Sequence, residues 1–344
     1  MLLKRLSEAF AVSSREDEVR EILRQELKEV TNEIRTDVLG NLIANNKFNE
    51  GMPKVMLCAH MDEIGLMVTY IEDNGVLRFE SVGSIDQRVL VSKAVRIGKN
   101  KVPGVIGAKA IHLQEPDERK KILKIRDLYI DVGAKDKKSA EKIVNIGDYV
   151  TFDTHFQELP GDHVKGKAFD DRIGCLILVE AMKRLRDSDL NIYAVFSTQE
   201  EVGTRGAGVA AYAIDPDLAL VIEATTASDV PSVDKALYST AVGKGPAITV
   251  MDRSFIAHQG IRERLESVAT EHGIPYQLRQ LLGGGTDAGK IHLTREGIPS
   301  GGISVPCRYI HSPVSIASMD DVNNAVELVV RFVESIEQKG LPRI

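Results

Sequence analysis

The residues best suited to chemistry in this chain stand at the ends of its apolar runs. In "NIYAVFSTQEEVGTRGAG" two adjacent carboxylates, Glu200 and Glu201, follow a strand-like stretch. Neighbours on a strand point to opposite faces, so within a sheet one of them would be desolvated at high cost. At a strand end the chain can turn, and both acids can reach one cleft. "CAHMDEIG" sets His60 and Asp62 two residues apart, which places them on one face of a strand. That pair suits a metal-binding imidazole beside an acid, and equally a structural histidine bonded to its neighbour. "AFDDRIG" carries Asp170 and Asp171 just before a helix, where the ordinary use of an aspartate is to cap. Glu223 closes the apolar run "LALVIEA", and His311 follows the strand in "VPCRYIHSP".

His60, Asp170, Glu201, Glu223 and His311 are hard oxygen and imidazole donors, with Glu200 left over. Two imidazoles and three carboxylates suit two divalent ions that share one carboxylate. Such a pair of ions makes a bound water more acidic and polarises a carbonyl. A free carboxylate beside that water, Glu200, can act as general base and pass the proton to a leaving amine. Charge favours the same picture, because buried acids without compensating cations are costly.

Other chemistry lacks an anchor. Gly284 to Lys290 in "LLGGGTDAGKI" follows the start of a phosphate-binding loop, but Ile291 stands where a serine or threonine is needed and Asp287 where a phosphate would lie. The loop is better suited to shaping a site near a cationic group, or to a plain turn. There is no H-E-x-x-H, and "GISVP" ends in proline where a nucleophile elbow needs glycine. The net charge of −6 is spread over 344 residues without a basic run, which argues against nucleic acid as a partner. No apolar run is long enough to span a membrane, and Lys4, Arg5 and Glu8 interrupt any signal-like core at the N-terminus. Cys58, Cys175 and Cys307 are far apart and form no C-x-x-C pair, so a cytoplasmic chain without thiolate zinc is expected.

Strands and helices must position these residues. "SSREDEVREILRQELKEV" reads as a helix with Ser13 and Glu16 as a capping box and Val19, Ile22, Leu23, Leu27 and Val30 on one face. "KVMLCAHMDEIGLMVTYI" reads as a mostly apolar and therefore central strand. Between about Glu72 and Pro160 short Val/Ile-rich runs alternate with Gly, Asn, Asp and Lys, the pattern of a small all-β unit. Strand and helix patterns then alternate, through "IPYQLRQL" and "IPSGGISV", to a final helix over "DDVNNAVELVVRFVESIEQ". The expected fold is α/β, a mixed sheet flanked by helices. Residues 1–70 and 161–344 would form that discontinuous domain, and residues 71–160 an inserted β-domain.

"AHMDEIG", "KAFDDRIG", "STQEEVGTRGA", "GGGTDAG" and "RYIHSP", in this order, resemble the tetrahedral aminopeptidase family over essentially the whole chain. That family contains glutamyl and deblocking aminopeptidases with two metal ions, zinc or cobalt, and some members labelled endoglucanase. The resemblance implies that Asp170 bridges the ions, with His60 and Glu223 completing one site and Glu201 and His311 the other. It implies Glu200 as general base and Asp62 as the acid that orients His60. It further implies peptide substrates with a free N-terminus, and dimers formed through the β-domain that assemble into a dodecamer. Many members carry aspartate at the position of Glu223. A glycosidase is the competing enzyme, suggested by the paired glutamates and the old label. It leaves the histidines without a role, and a chain with no tryptophan and 5% aromatics offers few platforms for sugars. An inactive binding protein on the same scaffold is the remaining alternative.

Overall fold

The computed structural model describes residues 1–234, 239–279 and 283–343. The chain opens with two helices, α1 (Leu2–Glu8) and α2 (Asp17–Leu27), and a hairpin of β1 (Glu33–Thr36) and β2 (Leu42–Asn45). Next comes β3 (Lys54–His60), whose residues alternate between two apolar faces, Val55, Leu57 and Ala59 on one and Met56 and Cys58 on the other. That alternation demands cover on both sides, and helices supply it.

The long apolar run around His60 is not one strand. β3 stays in the large sheet, whereas β4 (Gly65–Ile71) starts a closed barrel with β5 (Leu77–Val82), β6 (Ala94–Ile97), β7 (Val102–Ala108), β8 (Leu128–Asp131) and β9 (Tyr149–Phe152). The change of sheet occurs at Met61–Ile64, where Val12 forms a bridge with Glu63. Gly65 is needed at that crossing, because a Cβ there would lie 2.5 Å from a Val12 methyl and 2.7 Å from the Val150 carbonyl. The barrel order is β4-β5-β8-β7-β6-β9, each pair antiparallel, so no edge is left open. Leu66, Val68, Leu77, Phe79, Ile97, Ile106, Ile130 and Phe152 fill it. A short helix, α3 (Lys137–Ala140), closes one end, capped by Asp136.

The chain returns through β10 (Gln157–Leu159) and β11 (His163–Gly166) to α4 (Phe169–Leu185), β12 (Asn191–Ser197), α5 (Arg205–Ile214) and β13 (Leu218–Thr226). β14 (Ala247–Thr249), α6 (Gln259–Glu271), β15 (Gln277–Arg279), α7 (Ala288–Ile291), β16 (Ser300–Arg308), β17 (Ser315–Ser318) and α8 (Met319–Lys339) complete it. The strand read in "IPYQLRQL" begins as β15; Gln280 and Leu281 lie outside the described residues. Among the described residues eleven strands form one mixed sheet, ordered β1-β2-β12-β3-β13-β16-β17-β11-β10 with β14 and β15 attached beside β16. Its centre, β12, β3, β13 and β16, is parallel. α4 and α8 pack on one face and α5 and α7 on the other. The architecture is α/β with a separate small β-barrel domain.

Candidate functional site

The four parallel strands run the same way, so their carboxyl ends line one edge, the position where open α/β sheets hold ligands. His60 is the last residue of β3 and lies in register with Ser197, the last of β12. Glu200 and Glu201 follow in the turn beyond β12, where both can face one space. His311 lies three residues past β16. Glu223 sits differently from the strand-closing position expected for it: it is inside β13, paired in register with Ser304, and buried.

Asp170 is the meeting point. His60 Nε2 stands 3.1 Å from its Oδ1 and His311 Nε2 stands 3.2 Å from its Oδ2. His311 Nε2 is also 3.3 Å from Glu201 Oε2, and Glu200 Oε2 comes within 4.0 Å of His60 Nε2. One ligand atom from each of His60, Asp170 and Glu201 lies within 4.8 Å of the others. Glu223 is not one of that group and pairs instead with Arg279, whose guanidinium lies 3.2 Å from Glu223 Oε1 and also donates to the Gly283 carbonyl. The two aspartates of "FDDR" divide the roles that the sequence left open. Asp171 does the capping, accepting from the backbone N–H of Gly174 (2.9 Å) and of His60 (3.1 Å). Asp170 is thereby left for the histidines.

A layer of polar contacts fixes these residues from behind. Asp62 Oδ1 is 3.4 Å from His60 Nδ1 and accepts from the N–H of Glu200 (3.0 Å); its Oδ2 accepts from the N–H of Glu201 (3.1 Å) and the Ser13 hydroxyl (2.6 Å). The capping box expected from Ser13 and Glu16 is therefore absent. α2 starts at Asp17 with Glu16 in the N-cap position and no side-chain cap, because Asp62 takes the serine hydroxyl. Arg172, fully buried, donates to the carbonyls of Met61, Asp62 and Leu6, and both it and Lys167 pair with Glu63. Asp287, from the glycine-rich loop, accepts from Ser197 Oγ (2.5 Å) and Cys58 Sγ (3.8 Å), and its Oδ1 is buried without a partner among the described residues. Arg308, at the end of β16, is paired with Asp229.

Burial and crowding set the protonation of the cluster. Burial pushes the Glu201 carboxyl up to about 8; His311 opposes the rise and Asp170 adds to it. Burial likewise carries Glu223 to about 8 against the pull of Arg279. Glu200 is driven well above its ordinary range by burial, with Asp287 and Glu201 adding and His60 opposing. Asp170 goes the other way: burial raises it, but hydrogen bonds from His311 and His60 prevail and hold it low. The same contacts outweigh burial at His311 and lift it to about 9. Glu201 Oε1 is buried without a partner among the described residues. Crowded, desolvated acids with an orphaned carboxylate oxygen and two imidazoles fit divalent cations, the charge that would compensate them.

Ser13, Glu16, Arg172 and Arg279 take part without having been expected to, whereas Asp287 lies in the glycine-rich loop read as suited to shaping a site. Charged residues inside otherwise apolar stretches, as in "DEIG" and "FDDRIG", were the available signal. Their partners lie far away in the chain, as with Glu63 and Arg172.

An α/β sheet with hard donors gathered at its carboxyl edge defines a metal-dependent hydrolase. The chain belongs to the M42 glutamyl aminopeptidase family, whose model matches residues 40–328. It is accordingly a peptide hydrolase of the aminopeptidase type, and divalent metal use comes with the family. It is 47% identical over 332 residues to a protein of Acetivibrio thermocellus named provisionally as an aminopeptidase, covering 96% of this chain and 97% of that one. The solved structure of an aminopeptidase from the archaeon Desulfurococcus kamchatkensis matches with a TM-score of 0.92 and 41% identity, over 97% of this chain and 93% of that one. The TET1 peptidase of Pyrococcus horikoshii, described as assembling into a tetrahedron or a large octahedral shell, matches with a TM-score of 0.85 and 33% identity, over 96% and 97% of the two chains. Among the described residues no helix is long and apolar enough to cross a membrane.

Proposed function

We propose that the chain removes residues from the free N-terminus of peptides, using two divalent ions, zinc or cobalt, with Glu200 as general base. The observation that carries this reading is the bridging position of Asp170, whose two oxygens face His60 and His311. Asp170 would be shared, His60 and Glu223 would hold one ion, and Glu201 and His311 the other. Ions bound there would supply Lewis-acid polarisation of the scissile carbonyl and a more acidic water.

The remaining work falls to the chain. Glu200 shares the space of His60, 4.0 Å away, and burial makes its carboxylate basic enough to take a proton from water and return it to the leaving amine. Asp62 holds the backbone of Glu200 and Glu201 and keeps His60 oriented. The buried strands β3, β12 and β13 back one side of the site and lower the dielectric there, which strengthens these interactions. By likeness to the Pyrococcus horikoshii peptidase, the chain would act as a homo-oligomer. Dimers joined through the β-domain, which in the structure is the barrel from β4 to β9 (Gly65 to Phe152) rather than residues 71–160, would build a dodecamer. Three uncrosslinked cysteines fit a cytoplasmic location.

The test is hydrolysis of aminoacyl anilides by protein reconstituted with zinc or cobalt, with an N-acetylated peptide as control. Equal cleavage of the blocked peptide would overturn the exopeptidase reading. Glu200→Gln should keep both ions and lose about 10²-fold or more in kcat, the range of a general base.

A further inference from the structure

Glu16 lies outside the donor cluster yet is 2% exposed, and it has no part in the chemistry described so far. Its Oε1 accepts from the N–H of Ser14 (2.7 Å) and of Gln199 (3.3 Å). Both donors adopt left-handed backbone, with φ of 75° at Ser14 and 57° at Gln199, a conformation that costs free energy for residues other than glycine. Gln199 immediately precedes Glu200. The next two N–H groups, of Glu200 and Glu201, are taken by the two oxygens of Asp62. Three consecutive backbone donors, the three that aim the paired glutamates, are thus held by two carboxylates, and Ser13 fixes Asp62 in turn. Arg20 steadies this arrangement, 3.6 Å from Glu16 Oε2 and bonded to the Gly40 carbonyl.

We propose that Glu16 is a positioning residue for the peptidase reaction, acting as the hydrogen-bond acceptor that holds Gln199 left-handed and so sets the direction of Glu200. Without this acceptor Gln199 relaxes towards right-handed backbone, and the Glu200 carboxylate, next in the chain, turns away from His60, while Glu201 keeps its hold on Asp62. The role needs an acceptor at that reach rather than a charge. The inference rests on the reading in which Glu200 and Glu201 share the reacting space.

Glu16→Gln, Glu16→Asp and Glu16→Ala, metal-loaded, are compared by kcat and KM on an aminoacyl anilide, by bound metal and by thermal midpoint. Glutamine keeps an acceptor at the same reach and is expected within about twofold of the parent kcat. Aspartate falls short by a methylene and alanine removes the acceptor; each is expected to lower kcat about tenfold or more with KM and metal content unchanged, as misplacement of reacting groups does. A kcat that stays at the parent level in Glu16→Ala while only the midpoint falls overturns the proposal. So does higher activity in Glu16→Asp than in Glu16→Gln, or loss of metal in step with activity. Where the alanine variant does not fold, the aspartate and glutamine pair decides. Glu200→Gln is assayed beside them: retained turnover there refutes the general-base reading, whatever the Glu16 series does.

Discussion

At the scale of single residues, Arg279 makes the two halves of the donor set unequal. Its guanidinium occupies Glu223 Oε1 and places a positive charge where a cation would approach, while Glu201 Oε1 faces no such competitor. Repulsion between a cation and a guanidinium a few ångströms away is on the order of 1 kcal/mol or more even in a polarisable site. Arg279→Met should therefore raise the chelator concentration needed to strip the more weakly held ion, by about tenfold for ~1.4 kcal/mol; an unchanged metal-release curve contradicts this. Glu16 gives a prediction on pH. Burial, then the charge of Asp62, lift its carboxyl from 4.5 to about 7. Between those values the folded chain binds more protons than the unfolded one, so Glu16 makes stability fall as pH rises from 4.5 to about 7 and level off above. Glu16→Gln cannot titrate, so its stability relative to the parent should improve between pH 5 and 8, by up to about 2–3 kcal/mol. Denaturant unfolding at the two pH values measures it, and a constant difference refutes it.

At the scale of elements, the entry to α4 carries the heaviest constraint. Asp170 and Asp171 leave regular helix, Asp170 faces the histidines, and Asp171 binds the N–H of Gly174. A Cβ on Gly174 would lie 2.4 Å from one Asp171 oxygen and 2.6 Å from the Ile222 carbonyl. Gly174→Ala must move Asp171 and, with it, Asp170, so a stability loss of about 1–3 kcal/mol together with weakened metal binding is expected. Calorimetry and metal titration of the variant test the two parts separately. Elements like this one also mark the limit of reading from sequence. Apolar runs ending in acids or histidines were enough to locate the parallel strands and to expect Glu200, Glu201, His60 and His311 at one edge, because that pattern is local. The split between β3 and β4 was hidden, since both halves are apolar and the crossing at Met61–Ile64 is marked only by Asp62 and the following Gly65, which also occur within strands. Ser13 and Glu16 match a capping box perfectly well in sequence; only the arrival of Asp62 and Gln199 from other elements turns them to a different use. Glu223 read as a strand end because β13 continues through threonines that carry no apolar signal.

At the scale of the whole molecule, the six positions of the candidate site all come from one chain. Among the described residues the exposed apolar side chains include two groups in different parts of the chain. One is on the barrel, where Leu113 is 69% exposed and Ile122 60%. The other lies on the flank of the sheet domain, where α5 and α7 pack together and expose Tyr212 at 60% and Leu293 at 71%. Arg295 stacks on Tyr212 with its guanidinium 4.2 Å from the ring centre, which stiffens that flank. One self-complementary patch closes a dimer and stops there; a larger closed particle needs a second, different contact to join dimers. If the barrel patch makes the dimer and the flank joins dimers, Leu293→Asp should reduce the assembly to dimers. Paired charges at Leu113 and Ile122 should instead disrupt the dimer itself. Light scattering on the eluted particles distinguishes the two masses, and equal masses for both variants would sink the division of labour. Because the six candidate positions belong to one chain and none of the substituted residues is among them, either variant should keep its kcat on a small aminoacyl anilide within about twofold, as surface substitutions remote from a site usually do.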